Sequence, residues 1–337
     1  MPDAGASAPL VRSAPHNARM RPLPLVGGGA ALGLALLLAA CSREEASPPA
    51  AAAAGQAAAA ATATAPARSP SLRRQDLMPL AFPGWQDSDT ARVGQPALPG
   101  LGDDSRPVAG SAKPTAARVT PREVVRLSDS RAVLLTETVP LDDQGHPLDA
   151  HVAGAWLGAY VFERQGEGWV LAQRQDAVDY LGVMGSFGDT AVHRVAPTRL
   201  VLGATYGSCW QGYCGTWLSA WELQRDGVRR VLDGVALSAS NTGAQAACEA
   251  ILAGGRRARA AAGPRDACFD IEGTARFAQG LRDDAPGTLT LSFRGARTSE
   301  GRPAARGRVS RVDEQAVYAW QDGGYVLTRG RNPVPGF

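Results

Sequence analysis

Four cysteines in the second half of the chain are the residues whose type and spacing indicate a specific chemistry most clearly. Successive positions differ by five, then 34, then twenty residues, and the four are Cys209, Cys214, Cys248 and Cys268. Standard zinc sites contain closely spaced ligand pairs, and these intervals fit none of the usual patterns. An even number of cysteines favours disulfides, for which three connectivities exist. Of these we expect the nearest-neighbour set, Cys209–Cys214 and Cys248–Cys268.

Two aromatic residues, Trp210 and Tyr213, lie inside the loop that the first cysteine pair would close. Exposed aromatic side chains on a rigid loop suit binding, because little side-chain entropy is lost on contact. The alternative is that Trp210 folds back over the end of a sheet and fills the core. Both interpretations are compatible with the sequence, and the two residues are the candidate binding residues.

The sequence contains no recognisable catalytic motif, and we expect no catalytic residue. Ser186 lies in a glycine-rich stretch, 185–188, that partly resembles a nucleophile elbow, but the elbow requires glycine two residues before the serine and Met184 stands there. A glycine-rich loop is the simpler interpretation. Two acidic pairs adjoin turn-forming residues and are interpreted as solvated turns, namely Asp176/Asp179 and Asp283/Asp284.

Two histidines share a polar segment with three aspartates, a mixture that is able to bind a metal ion. The residues are Asp142, Asp143, His146, Asp149 and His151. Their order matches no established ligand spacing and lacks the alternating aspartates of a calcium-binding loop. We therefore expect a polar connection between strands, with no metal and no cofactor.

The first 40 residues have the composition of an export signal. Arginines at 12, 19 and 21 precede an apolar run of 16 residues, 25–40, which is shorter than the ~20 residues of a spanning helix. The run ends in Leu-Ala-Ala followed by Cys41. This ending resembles the lipobox of bacterial lipoproteins, which implies cleavage before Cys41 and acylation of its side chain. In that family Ser42, in place of aspartate, implies the periplasmic face of the outer membrane.

Composition divides the remaining chain into two regions. Residues 41–121 are rich in Ala, Pro, Ser and Gly, and predict a lipidated flexible tether followed by an extended segment. Residues 122–337 are long enough for a single disulfide-stapled domain. Removing residues 1–40 leaves 32 basic and 31 acidic residues, a formal charge of +1. So small a charge gives no reason to expect a nucleic-acid partner.

An internal repeat predicts β-hairpins. The segment 154–160 matches 215–221 at an offset of 61 residues, and a shorter copy surrounds Trp320. Each copy alternates large apolar residues with period two before a glycine-containing turn. The pattern predicts that Tyr160, Trp221 and Trp320 occupy equivalent, largely buried places.

Apolar strands precede each of the three predicted hairpins, at 132–139, 199–206 and 288–293. The fold class is therefore all-β, with repeated antiparallel hairpin units that form a propeller-like, sandwich or barrel body. One alanine-rich stretch, 244–262, predicts a short helix.

These features favour a lipid-anchored periplasmic protein that acts as a non-catalytic binding or envelope-structural module. Its partners would be the membrane, through the lipid, and another envelope protein or a glycan. An inhibitor or immunity protein is one such module, by analogy of class alone. The alternative is a cell-envelope hydrolase with an unfamiliar active site, which would require a nucleophile or metal beside a base.

Overall fold

The computed structural model describes residues 67–86, 88–103, 105–254, 267–299 and 307–336. Within these ranges the fold is all-β, as predicted, with two short helices, α1 (Arg74–Ala81) and α2 (Ala247–Leu252). The strands are β1 (Arg92–Gly94), β2 (Ala97–Leu98), β3 (Lys113–Pro114), β4 (Ala117–Ser128), β5 (Arg131–Pro140), β6 (Ala155–Gln165), β7 (Gly168–Leu181), β8 (Asp189–Arg194), β9 (Leu200–Trp210), β10 (Tyr213–Gln224), β11 (Gly227–Ser240), β12 (Phe269–Phe277), β13 (Leu289–Thr298), β14 (Val309–Gln321) and β15 (Gly324–Gly330).

A five-stranded antiparallel sheet has the order β1-β4-β5-β6-β7 and is covered on both faces. Strand β5 shows the consequence most clearly, because its residues 132–139 are all buried. Ala132 and Leu134 belong to a core cluster shared with α1. Val133 and Leu135 point the other way, into a cluster shared with the second sheet. A strand buried on both faces favours consecutive apolar residues, which explains the run of Ala, Val and Leu over 132–135.

Helix α1 differs from the extended segment that the composition of 71–121 predicts. Its Leu77 and Met78 are completely buried against the five-stranded sheet, where they share a cluster with Tyr160 and Phe162. Strands β1, β2 and β3 and the start of β4 also fall within 71–121. Scattered apolar residues in a proline-rich segment are thus enough to close one face of the domain.

The second sheet has eight antiparallel strands, in the order β15-β14-β13-β12-β11-β10-β9-β8. Strands β9 to β11 face the five-stranded sheet and contribute Leu202 and Trp221 to the cluster between them. The sheet then curves, so that the β14–β15 turn reaches β11 and Arg229 Nη1 donates to the Gly323 carbonyl at 2.7 Å. A separate core fills the curved part and includes Leu291 and Phe293. The described residues therefore form a sandwich with one curled end.

The three predicted hairpins are β6–β7, β10–β11 and β14–β15. Each closes through two residues, between the pairs Gln165 and Gly168, Gln224 and Gly227, and Gln321 and Gly324. The preceding apolar strands are β5, β9 and β13.

The equivalent rings of the repeat, however, face different surroundings. Tyr160 is completely buried beneath α1, whereas Trp221 is buried between the two sheets. Trp320 is partly buried against the core of the curved part. The three copies thus share the same local hairpin structure, and equivalent residues lie on one face of each hairpin. The part of the protein that this face packs against differs from copy to copy.

Helix α2 falls within the predicted stretch 244–262, of which positions 255–262 lie outside the described residues. Cys248, on α2, is bonded to Cys268, just before β12. Both cysteines are completely buried with Ile251 and Leu252. The disulfide fastens this helix, which is too short to be stable alone, to the start of β12, an interior strand of the sheet.

Candidate binding surface at the disulfide-closed tip

The β9–β10 hairpin ends in a tight turn closed by the other disulfide. Cys209 and Cys214 stand opposite each other with their Cα atoms 4.0 Å apart, and the two are bonded. Trp210 pairs with Tyr213 across the two turn residues, Gln211 and Gly212. Both turn residues have positive φ, 49° and 82°. A turn with positive φ at both residues matches the twist of the two strands. The disulfide lies one residue pair further along the hairpin and holds the turn in this conformation.

The loop that follows β11 braces this tip. Gly212 lies so close to it that an added Cβ would stand 2.2 Å from the Ala244 nitrogen, which explains the glycine. The Ala244 N–H donates to the Gly212 carbonyl at 3.1 Å. Gln245 Nε2 donates to the Tyr213 hydroxyl at 3.3 Å. Tyr213 is therefore half-buried and supports the hairpin, while Trp210 is 61% exposed.

The loop between β5 and β6 runs beside the exposed ring of Trp210. The His151 ring lies 5.5 Å from it, centroid to centroid, at an interplanar angle of 41°. His151 Nε2 is also 3.4 Å from Ser208 Oγ, on the same hairpin. The sequence predicts a polar connection around His151 and carries no sign that this connection reaches Trp210. Contacts between distant loops leave no local pattern in a single sequence.

Further apolar side chains are exposed on the loop that carries His151 and on the turn beside that loop. Val152 is 80% exposed and Met184 is 59% exposed, and Leu148 is also exposed. The turn that carries Met184 contacts the β5–β6 loop, since the Gly185 N–H donates to the Ala153 carbonyl at 2.8 Å. We call the large exposed apolar residues of these three adjoining loops, together with the half-buried His151, the tip surface: Leu148, His151, Val152, Met184 and Trp210.

The remaining polar residues of the β5–β6 loop do not assemble into a metal site. Asp142 accepts backbone hydrogen bonds from Gln144 and His146, each at 2.8 Å. The bond from His146 is the main reason that the pKa of Asp142 is lowered. Throughout the described ranges, no three potential ligand side chains of His, Cys, Asp or Glu lie close enough to hold a metal ion.

Ser186 is bound into the loop by structural hydrogen bonds. Its Oγ donates to Glu137 Oε2 at 3.0 Å and accepts from the Gly188 N–H at 3.2 Å. Glu137 is buried, also accepts from the Phe187 N–H at 3.1 Å, and lies 3.7 Å from Arg122. The neighbours of this hydroxyl are a carboxylate and backbone, with no histidine among them.

The acidic pairs serve as hydrogen-bond acceptors for neighbouring segments. Asp176 accepts from the Tyr160 hydroxyl at 2.7 Å. Burial of the Tyr160 ring, together with this carboxylate, raises the pKa of the phenol. Asp179 accepts from the Trp221 indole, and Asp283 from Thr198. These bonds occupy carboxylates that paired-carboxylate chemistry would require free.

A large open cleft, of about 910 Å³, lies at the other end of the sandwich. Arg199 and Glu222 line it, but Glu222 is buried and already bound by Arg199 Nε and by Arg229. The Arg199 guanidinium also stacks 4.4 Å from the Trp320 ring centroid. The cleft therefore contains a satisfied ion network.

The fold and the surface together define an all-β, doubly disulfide-bonded domain with an aromatic tip. The sequence matches no protein-family model, and comparison with curated proteins and with solved structures finds no significant match. Cys41 and the whole leader lie outside the described residues. In the part of the chain that is described, no helix is both long and apolar enough to cross a bilayer.

Proposed function

We propose that this chain is an envelope lipoprotein, acylated at Cys41 and held at the periplasmic face of the outer membrane. Its β domain binds another envelope protein through the tip surface and catalyses no reaction. The observation that carries the binding function is the 61% exposure of Trp210 on a rigid, disulfide-closed turn. A tryptophan kept out of the core in this way is typical of a binding anchor.

The chemistry of the tip surface favours a protein over a glycan. Val152 and Met184 expose only aliphatic and thioether groups, which have nothing to donate to sugar hydroxyls. Methionine adapts to irregular partner surfaces, and tryptophan supplies a large contact area with few rotatable bonds. An inhibitor or immunity protein would use such a surface to cover a partner's active site.

The proposed location rests on the sequence before the domain and on the cysteines within it. The lipobox-like ending places Cys41 directly after an apolar run of export length. The other four cysteines are all paired with one another. Disulfides persist in oxidising compartments such as the periplasm, so the two features support the same location.

The binding proposal is tested by capturing envelope proteins on the full-length chain and on two variants. Trp210→Ala removes the proposed anchor. Leu281→Ala is the matched control, because Leu281 is 95% exposed but does not belong to the tip surface. We expect a specific partner to be retained by the wild type and by Leu281→Ala, and lost with Trp210→Ala. Equal retention by both variants would contradict the proposal.

One observation supports hydrolysis as the second candidate function. Ser208 and His151 place a hydroxyl 3.4 Å from a base, the pairing that a nucleophilic hydrolase uses. The distance is longer than a strong hydrogen bond, and in the described residues no carboxylate bonds to the His151 ring to orient it. Covalent labelling by a fluorophosphonate that disappears in Ser208→Ala would establish this function. Absence of labelling in the wild type would leave the binding proposal in place.

A further inference from the structure

A small cavity lies where the end of α1 meets strand β1, on the face of the domain that α1 covers. Its volume is about 190 Å³, roughly that of six water molecules at ~30 Å³ each. The aromatic residues Phe82 and Trp85 and the aliphatic residue Val119 form much of its wall. Gly94 also lines it and leaves space that a side chain would fill, since an added Cβ would stand 3.3 Å from Phe82.

Trp85, which lines this cavity, has an unused hydrogen-bond donor. The residue is 6% exposed, and in the described part of the chain its buried Nε1 has no hydrogen-bond partner. A buried indole N–H normally finds an acceptor, because losing water without replacement costs free energy. A ligand that brings an acceptor atom into the cavity would satisfy it.

Two guanidinium groups line the cavity beside the aromatic wall. They belong to Arg92 and Arg174, whose side chains are 40% and 37% exposed. Their described ion-pair partners are Asp89, at 3.0 Å, and Asp176, at 2.8 Å, and neither carboxylate lines the cavity. The lining of the cavity therefore combines aromatic rings with guanidinium donors whose carboxylate partners lie outside it.

We propose that this cavity binds a small carboxylate with a compact apolar body. The carboxylate would accept from the Trp85 indole and pair with Arg92, because an ionised acceptor forms stronger hydrogen bonds than a neutral one. The apolar body would lie against Phe82 and Val119. This site is separate from the tip surface and does not depend on the function proposed for it.

The test is calorimetric titration of the full-length chain with benzoate and with benzyl alcohol, which has a similar body but no charge. We expect one saturable benzoate site of millimolar affinity, with benzyl alcohol at least several-fold weaker. Trp85→Phe keeps the ring and removes the donor, and Arg92→Gln removes the charge. Each should weaken benzoate binding about tenfold, the usual effect of losing a hydrogen bond to a charged group.

Two further variants separate this site from general affinity for carboxylates. Gly94→Ala adds a methyl group within the cavity and should also weaken binding. Arg126→Gln removes an exposed arginine from β4 and should leave binding unchanged. Circular dichroism checks that each variant folds. Equal binding of benzoate and benzyl alcohol, no saturable benzoate binding, or folded Trp85→Phe and Arg92→Gln variants with wild-type affinity would overturn the proposal.

Discussion

The indole N–H of Trp221, on β10, donates to Asp179 Oδ2, on β7, at 3.0 Å. This bond joins the eight-stranded sheet to the five-stranded sheet inside the core between them. Arg230 Nε donates to the same oxygen at 2.7 Å, and this ion pair helps raise the pKa of the guanidinium against the opposing effect of burial. A single buried carboxylate thus links three strands across the sandwich.

Asp179→Ala should destabilise the protein by about 3 kcal/mol, because it leaves the Trp221 donor unsatisfied and removes the buried partner of Arg230. The guanidinium then keeps its pair with the more exposed Asp233, at 2.9 Å. Urea unfolding followed by circular dichroism measures the loss. Asp313→Ala is the matched control, since Asp313 is an exposed strand carboxylate and its removal should change stability by less than ~0.5 kcal/mol. Equal effects of the two substitutions would contradict a linking role for Asp179.

Two tryptophan substitutions distinguish the core ring from the surface ring. Trp221→Ala should cost about 3–5 kcal/mol, because the side chain is almost completely buried. Trp210→Ala should cost less than about 1 kcal/mol, because most of its ring already contacts solvent. Thermal unfolding of both variants checks the difference. A large loss with Trp210→Ala would show that this ring supports the fold.

The two disulfides should differ in their effect on stability. Cys248–Cys268 spans 20 residues and should contribute roughly 3 kcal/mol on the chain-entropy model, more than the five-residue span of Cys209–Cys214. Paired Cys→Ala replacements at each bridge, compared by urea unfolding, test this order. Non-reducing peptide mapping checks the connectivity, and crossed pairs or four free thiols would refute it.

His193 should make the protein less stable in mild acid. Burial lowers the pKa of its imidazole below the ordinary 6.5, so the unfolded chain takes up a proton more readily than the folded chain. The free energy of unfolding therefore falls as pH decreases from about 6.5 towards the folded pKa. His193→Gln should flatten this part of the profile, whereas His146→Gln, which alters an exposed ring, should retain it. A profile unaffected by His193→Gln would contradict the prediction.

Cys41→Ser should abolish incorporation of labelled palmitate and leave a full-length precursor, because serine cannot form the thioether that precedes cleavage. Cys248→Ser is the control that keeps Cys41, and it should incorporate the label as the wild type does. Metabolic labelling followed by electrophoresis measures both results. Label retained by Cys41→Ser would refute the lipoprotein interpretation.

The hairpins could be predicted from the sequence because their signals are local. Period-two alternation defines which residues share a face, and Gly166 and Gly323, at φ of 62° and 84°, identify tight turns. The sequence did not predict which layer of the protein each face of a hairpin packs against. Both faces of β6 are apolar, so no polar side identified the outer surface, and only the assembled fold places Tyr160 beneath α1.

Sequence signals were weaker for α1 and for the tip surface. Helix α1 contains Pro79, and the proline-rich composition around it favoured an extended segment. Trp210 was identified as a candidate because it stands between two cysteines. The sequence did not predict that the loops of His151 and Met184 adjoin this hairpin, since they are distant in sequence and meet only when the sheets pack.

The order of strands in the eight-stranded sheet has a consequence for how the chain folds as it emerges. From β9 to β15 every strand pairs with the one immediately before it in the chain. A chain that leaves a ribosome or a secretion channel N-terminus first therefore presents each new strand to a partner that is already outside. The β9–β10 hairpin and its Cys209–Cys214 bond can form before α2 has appeared. The sheet therefore grows strand by strand at one open edge. Because no strand depends on a distant partner, unpaired strands are exposed to aggregation for a shorter time.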